Sequence, residues 1–299
     1  MTTPRWSRAT PYGRLYTPPN APDYADVEEA ITQGLLVPSV TNVIGVADKP
    51  FLRGWYAKMA AQNAVDTAYE HPGLIESKPR KAVTHFSKAA ERHTSKAADL
   101  GDLVHSICET LALGQDPGAI PEHAAPYVDA WRAFRDDFEV TFEHVEATCF
   151  GEVPADPASA AVGADPAGGG YGYAGTADFI ARIHGLRVVG DLKSGRSVHT
   201  EAALQASALA HCHTLITPTD EPTPAPDIDA GIVIHLTPNG YRIHQAQIHG
   251  EPWDMFTHLR RVWWSHVRNT TARGPLFLTG PLDVPADIRP ENATQLVTP

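Results

Sequence analysis

Cysteine is scarce in this chain of 299 residues: Cys108, Cys149 and Cys212 stand far apart and no CxxC pair occurs. That spacing excludes a zinc ribbon or an internal iron-sulfur cluster, both of which need closely spaced thiolates. It reads instead as reduced, packed thiols in a cytoplasmic compartment. Long apolar runs are missing too. No stretch approaches the length of about twenty residues that a membrane helix requires, and no apolar run follows the first basic residues, so neither a span nor a signal peptide is expected. Positive charge is not in excess: the formal net charge of -11 excludes a protein that coats nucleic acid by general basicity, while leaving room for one local cleft. The glycine-rich stretch from 152 to 170, containing ADPASAAVGADPAGGG, has neither a lysine nor a following helix, which argues against a phosphate-binding loop and an NTPase. It reads as a flexible insertion, long enough for a substrate-facing flap.

What is present centres on Tyr171 to Gly195, YGYAGTADFIARIHGLRVVGDLKSG. Residues 174 to 183 and 186 to 194 carry the short apolar pattern of strands, and His184-Gly185 between them is a tight hairpin turn. Alternation puts Asp191 and Lys193 on one face with Val188 and Leu192 on the other, and Asp178 on the partner strand shares its side with Ala174, Thr176 and Ile180. Pairing around the turn brings the two aspartates close. Two neighbouring carboxylates repel, and a hard divalent cation removes the penalty. Lys193 beside them can orient water or stabilise charge on a phosphate. An ordinary strand ion pair between Asp191 and Lys193 is the competing reading.

The flanking sequence divides at 38, 138 and 269. Residues 1 to 38, rich in Pro, Tyr and Arg, are expected to drape over the body as an extended arm. Residues 39 to 138 form a helical elaboration, with one helix from Lys49 or Pro50 and another through KAADLGDLVHSICETLALG, whose buried stripe is Leu100, Val104, Ile107 and Leu111. His105 lies beside that stripe, as a packed histidine or as a ligand. The segment from 78 to 96 is the most basic in the chain; Lys78, Arg80, Lys81, Lys88 and Arg92 are either a solvated face or contacts to phosphates. Residues 139 to 269 supply a core of strands and helices. Within its first strand a carboxylate is costly unless solvated, paired or metal-bound; Glu146 is the candidate, with Glu143 the alternative in another register. Thr200 can cap a helix from Glu201 to about His213 that carries Gln205. Residues 270 to 299 are a Pro-punctuated tail, and the whole is one compact α/β unit.

The ordered set GDLVH, Glu146, GTAD, GDLKSG and Gln205 resembles the PD-(D/E)XK nuclease superfamily, in its RecB-like and Cas4-like exonuclease branch with bacteriophage-encoded members. The likeness runs from about Ser39 to Ile248. It implies a restriction-endonuclease-like core, a mixed sheet flanked by helices, and a site at the lip of a DNA cleft. It assigns Asp178 and Asp191 to one or two Mg2+ or Mn2+ ions, with the Leu192 carbonyl as a further ligand, His105 as a metal or substrate ligand and Glu146 as a ligand or an acid behind the ligands, and makes Lys193 the residue that positions or activates the attacking water. Gln205 opens the family's QxxxY motif, whose tyrosine position is Leu209 here. DNA, a recombination or replication protein and a second copy of the chain are the partners so implied, in a bacterial or phage-infected cytoplasm. The alternative is a nuclease-fold DNA-binding or assembly protein that does not cleave.

Overall fold

The computed structural model describes residues 6–19, 21–32, 35–47, 49–152, 170–216 and 221–271. The expected insertion at 152–170 and the tail at 270–299 fall largely outside them. In chain order the elements are β1 (Ser7–Thr10), β2 (Gly13–Tyr16), α1 (Val27–Thr32), β3 (Val37–Pro38), α2 (Val40–Ile44), α3 (Pro50–Glu70), α4 (Pro72–Ser77), α5 (Pro79–Ser87), α6 (Ala89–Ala112) and α7 (Ala125–Asp137). There follow β4 (Thr141–Glu152), β5 (Tyr171–Ile183), β6 (Leu186–Lys193), α8 (Glu201–Ala210), β7 (Thr214–Ile216), β8 (Pro222–Pro224), β9 (Ala230–Thr237), β10 (Gly240–Ala246) and α9 (Glu251–Thr271).

Seven strands form one sheet in the order β10-β9-β6-β5-β4-β7-β8. Only β6 and β9 run parallel among its pairings, so the fold is a mixed α/β fold with a central mixed sheet flanked by helices. Period-2 alternation sorts the side chains of β6 and β9 cleanly. Val188, Leu192, Ile232, Ile234 and Leu236 pack under Val104, Cys108, Val128, Trp131 and Phe134 of α6 and α7. Val189 and Val233 face the opposite layer, built from α2, α8 and α9. Among the described residues no helix is long and apolar enough to cross a membrane.

The β5–β6 hairpin closes with Ile183 opposite Leu186. His184 at φ 49° and Gly185 at φ 86° give the paired positive φ values of a turn that matches strand twist. Further along, Phe179 lies opposite Gly190, and a Cβ at Gly190 would fall inside the Phe179 ring. The absence of a side chain there is what lets the ring lie flat across the neighbouring strand.

Residues 6 to 38 are more than a surface arm. β1, β2 and β3 form their own sheet, and Leu15, Tyr16, Leu36 and Val37 are fully buried. Leu15, Ile31 and Leu36 pack with Trp263, Trp264 and Val267 of α9, and a parallel bridge from Ser39 to Ala174 ties the segment to β5. Ser39 also caps α2 by accepting from the Asn42 amide. Thr200, by contrast, precedes α8 in helical backbone geometry and its side chain makes no capping bond.

Candidate functional site

β5 and β6 part at the residues that matter. Their ladder ends at Phe179 and Gly190, and beyond it the Leu192 amide donates to Asp178 Oδ2 at 2.6 Å. A side chain has replaced a backbone carbonyl in the ladder, so the strands splay and a cavity opens. On its other edge β6 remains paired with β9, Asp191 opposite Val233 and Lys193 opposite His235. His235 Nε2 lies 2.7 Å from the Gly195 carbonyl and holds the loop that follows Lys193.

The cavity measures about 260 Å3, and its wall includes His105, Glu146, Asp178, Asp191, Lys193 and Gln205. Six positions drawn from α6, β4, β5, β6 and α8 therefore meet in one place. Lys193 Nζ donates to Asp191 Oδ1 at 2.6 Å. Asp191 Oδ2 is buried without a hydrogen-bond partner, an expensive state for a carboxylate oxygen unless a ligand occupies it. His105 Nδ1 is likewise buried without a hydrogen bond, and sits 3.7 Å from Asp178 Oδ2. Gln205 is half-buried and its side chain makes no hydrogen bond among the described residues.

Electrostatics follow from this crowding. Burial pushes the Asp191 carboxyl up to about 6; Lys193 pulls it down, Asp178 pushes it further up and His105 pulls it down. Burial, then Asp178 and Glu109, push Glu146 up to about 8. Glu146 also sits at φ 49° in mid-strand, a left-handed backbone that costs on the order of 1–3 kcal/mol for a non-glycine residue. Glu143 is the bulged residue between Phe142 and His144 and is engaged on the surface by Arg182 at 2.9 Å and Arg187 at 2.6 Å. Of the two candidate acids, Glu146 faces the cavity and Glu143 does not.

The donor set suits a hard cation: carboxylate oxygens and one imidazole, with unpartnered buried atoms on Asp191 and His105. Among the described residues no three His, Cys, Asp or Glu side chains stand together as a group that could hold a metal ion. One oxygen of Asp191 is taken by Lys193 and one of Asp178 by the Leu192 amide. Leu192 itself buries its side chain between the sheet and α6.

Sequence reasoning missed part of the wall. Arg14, Tyr16, Ser39, Val40, Thr41 and Leu209 also line the cavity. Tyr16 Oη and Thr176 Oγ1 are 3.2 Å apart, so a phenol from β2 stands at the same cavity as Leu209 of α8. Arg14 is exposed and makes no ion pair among the described residues. The expected basic contacts lie elsewhere. Arg80, Lys81, Lys88 and Arg92 border an open groove at the far end of α6, and Lys78 stands exposed outside it.

No family model matches the chain, and no curated protein does. A solved structure described as the crystal structure of SSO0001 is similar to it at 15% identity and a TM-score of 0.31, covering 67% of this chain and 69% of that one. A likeness at that level says nothing about activity.

Proposed function

We propose that the chain is a metal-dependent deoxyribonuclease with a restriction-endonuclease-like core, of the RecB-like and Cas4-like PD-(D/E)XK kind, and an exonuclease rather than an endonuclease. The observation that carries the reading is the convergence of Asp178, Asp191, Lys193, Glu146 and His105 on one cavity, with Asp191 Oδ2 and His105 Nδ1 unpartnered.

Asp178 and Asp191 would hold Mg2+ or Mn2+, joined by His105, Glu146 and the Leu192 carbonyl. When bound, the ion polarises a phosphate and lowers the pKa of a coordinated water. The protein does the rest. Asp178, which lines the cavity, is fixed by the Leu192 amide at its Oδ2. Lys193 rests on Asp191 at the boundary with solvent, where its ammonium can meet a phosphate oxygen and orient water beside it. Glu146 keeps its proton near neutrality, so it can give that proton up as positive charge enters. Arg14 and Gln205 offer free donors on the wall for the flanking phosphates or sugars. Hydrolysis of a phosphodiester to a 5'-phosphate and 3'-hydroxyl is the resulting reaction.

A nuclease-fold protein that binds DNA without cutting is the second reading, favoured by the closed Lys193–Asp191 pair and the unassembled ligand shell. End-labelled linear DNA and covalently closed circles, titrated with Mg2+ or Mn2+, separate the two. Mononucleotides from linear DNA with intact circles establish the exonuclease, and cut circles an endonuclease. Binding without product on either form establishes the second reading.

A further inference from the structure

The cation-rich groove on the helical arm has no role in the cavity chemistry. Arg80, Lys81, Thr84, His85, Lys88 and Arg92 enclose an open space of about 410 Å3 between α5 and the start of α6. None of the four cations makes an ion pair among the described residues, although the chain as a whole carries a formal charge of -11. Arg92 is nevertheless oriented. Its guanidinium donates to the His85 carbonyl at 2.8 Å and to Asn63 Oδ1 at 3.0 Å. Neutral acceptors hold it in place without cancelling its charge, which is what an anion site requires.

The groove has a fixed relation to the acidic cavity, because α6 runs unbroken from Ala89 to Ala112 and carries Arg92 near one end and His105 near the other. At about 1.5 Å per residue, the groove lies about 20–25 Å along the helix from His105. The root of the arm is pinned at the cavity end by Lys49 Nζ on Glu201 Oε1 at 2.9 Å, one turn before Gln205. Phosphates along one DNA strand repeat at about 3.4 Å, so that span corresponds to about six or seven nucleotides.

We propose that this groove is a remote phosphate subsite for DNA, gripping the backbone about six or seven nucleotides from the phosphate that Lys193 meets at the acidic cavity. The helix α6 then acts as a ruler for the length of strand that must be engaged. The inference takes the identity of its ligand from the nuclease reading, and its test is a binding measurement that cleavage does not enter.

Fluorescence anisotropy in EDTA, with hairpin duplexes from about 4 to about 16 base pairs, is expected to show a step in affinity once about six or seven pairs are present. Lys81→Ala/Lys88→Ala, two exposed positions, should remove the step, weaken binding of the longest duplex about 10-fold and lower the slope of log affinity against log salt by about 2. Lys81→Arg/Lys88→Arg should keep all three. A length curve and salt slope shared by the parent and the alanine variant would overturn the proposal, as would a parent that binds no DNA. A step in a protein that cuts nothing keeps the subsite and removes hydrolysis. Cleavage indifferent to length and to the alanine variant does the reverse.

Discussion

The two charged regions of this protein are built on opposite terms. At the cavity, a buried Asp191 lies with half-buried Asp178 and Glu146, one backbone is held left-handed, and polar atoms lack partners among the described residues. At the groove on the arm, Arg80, Lys81 and Lys88 are exposed on a helical surface, and half-buried Arg92 meets neutral acceptors among the described residues. The first region stores unfavourable energy that a cation would release; the second stores none and presents unspent charge. Chemistry needs the former because groups must be preorganised out of water, whereas grip needs only a field at the right distance.

The contrast is broken most forcefully at Lys193. Lys193→Ala is expected to lower turnover about a thousandfold while changing DNA affinity no more than about threefold. Single-turnover cleavage with a parallel binding titration reads both, and equal turnover in saturating Mg2+ removes Lys193 from the chemistry.

Arg14 tests whether the cavity borrows grip as well. Arg14→Ala should raise KM about 10-fold with little change in kcat, the size of one lost charge-assisted contact. A kcat effect larger than the KM effect would move Arg14 into the reaction itself.

Stored energy has its own signature in pH. Glu146 holds its proton up to about 8 in the fold, against an ordinary value of 4.5 in the unfolded chain. The folded state therefore binds more protons across that window, and metal-free stability falls as pH rises through it. Asp191 adds the same sign, complete by about 6. Between about pH 6 and 8, Glu146→Gln should flatten the decline, raising the metal-free melting temperature at the upper end by about 3–5 °C. A parent with no decline across that range would refute the assignment by calorimetry alone.

The smallest effect belongs to Glu143. Glu143→Gln breaks a partly solvated pair of arginine contacts, so a loss of about 1 kcal/mol or less in urea unfolding is expected, with unchanged cleavage. A loss of activity there would reverse the choice between Glu143 and Glu146.

Much of the cavity was legible because its parts are local. The period-2 pattern, the His184-Gly185 turn and the positions of Asp178, Asp191 and Lys193 lie within 25 residues, and the hairpin register follows from the turn. Arg14 and Tyr16 were not legible, since their segment has no periodicity and the contact of Tyr16 with Thr176 spans 160 residues of chain. The bulge at Glu143 gives no signal in composition, which is why two acids remained open. The basic segment is divided between two helices, α5 ending at Ser87 and α6 starting at Ala89, so that Arg92 shares one helix with His105. Sequence charge located the basic groove but not its distance from the cavity, because that distance is a property of α6 as one element.

The glycine under Phe179 has a consequence for how the chain assembles. A hairpin that slipped by one residue would turn Asp191 and Lys193 to the wrong face and thrust a valine or an aspartate against the aromatic ring. Gly190 thus couples packing to chemistry: the register that seats the Phe179 ring across the neighbouring strand is the one that sets Asp191 and Lys193 in the wall of the cavity.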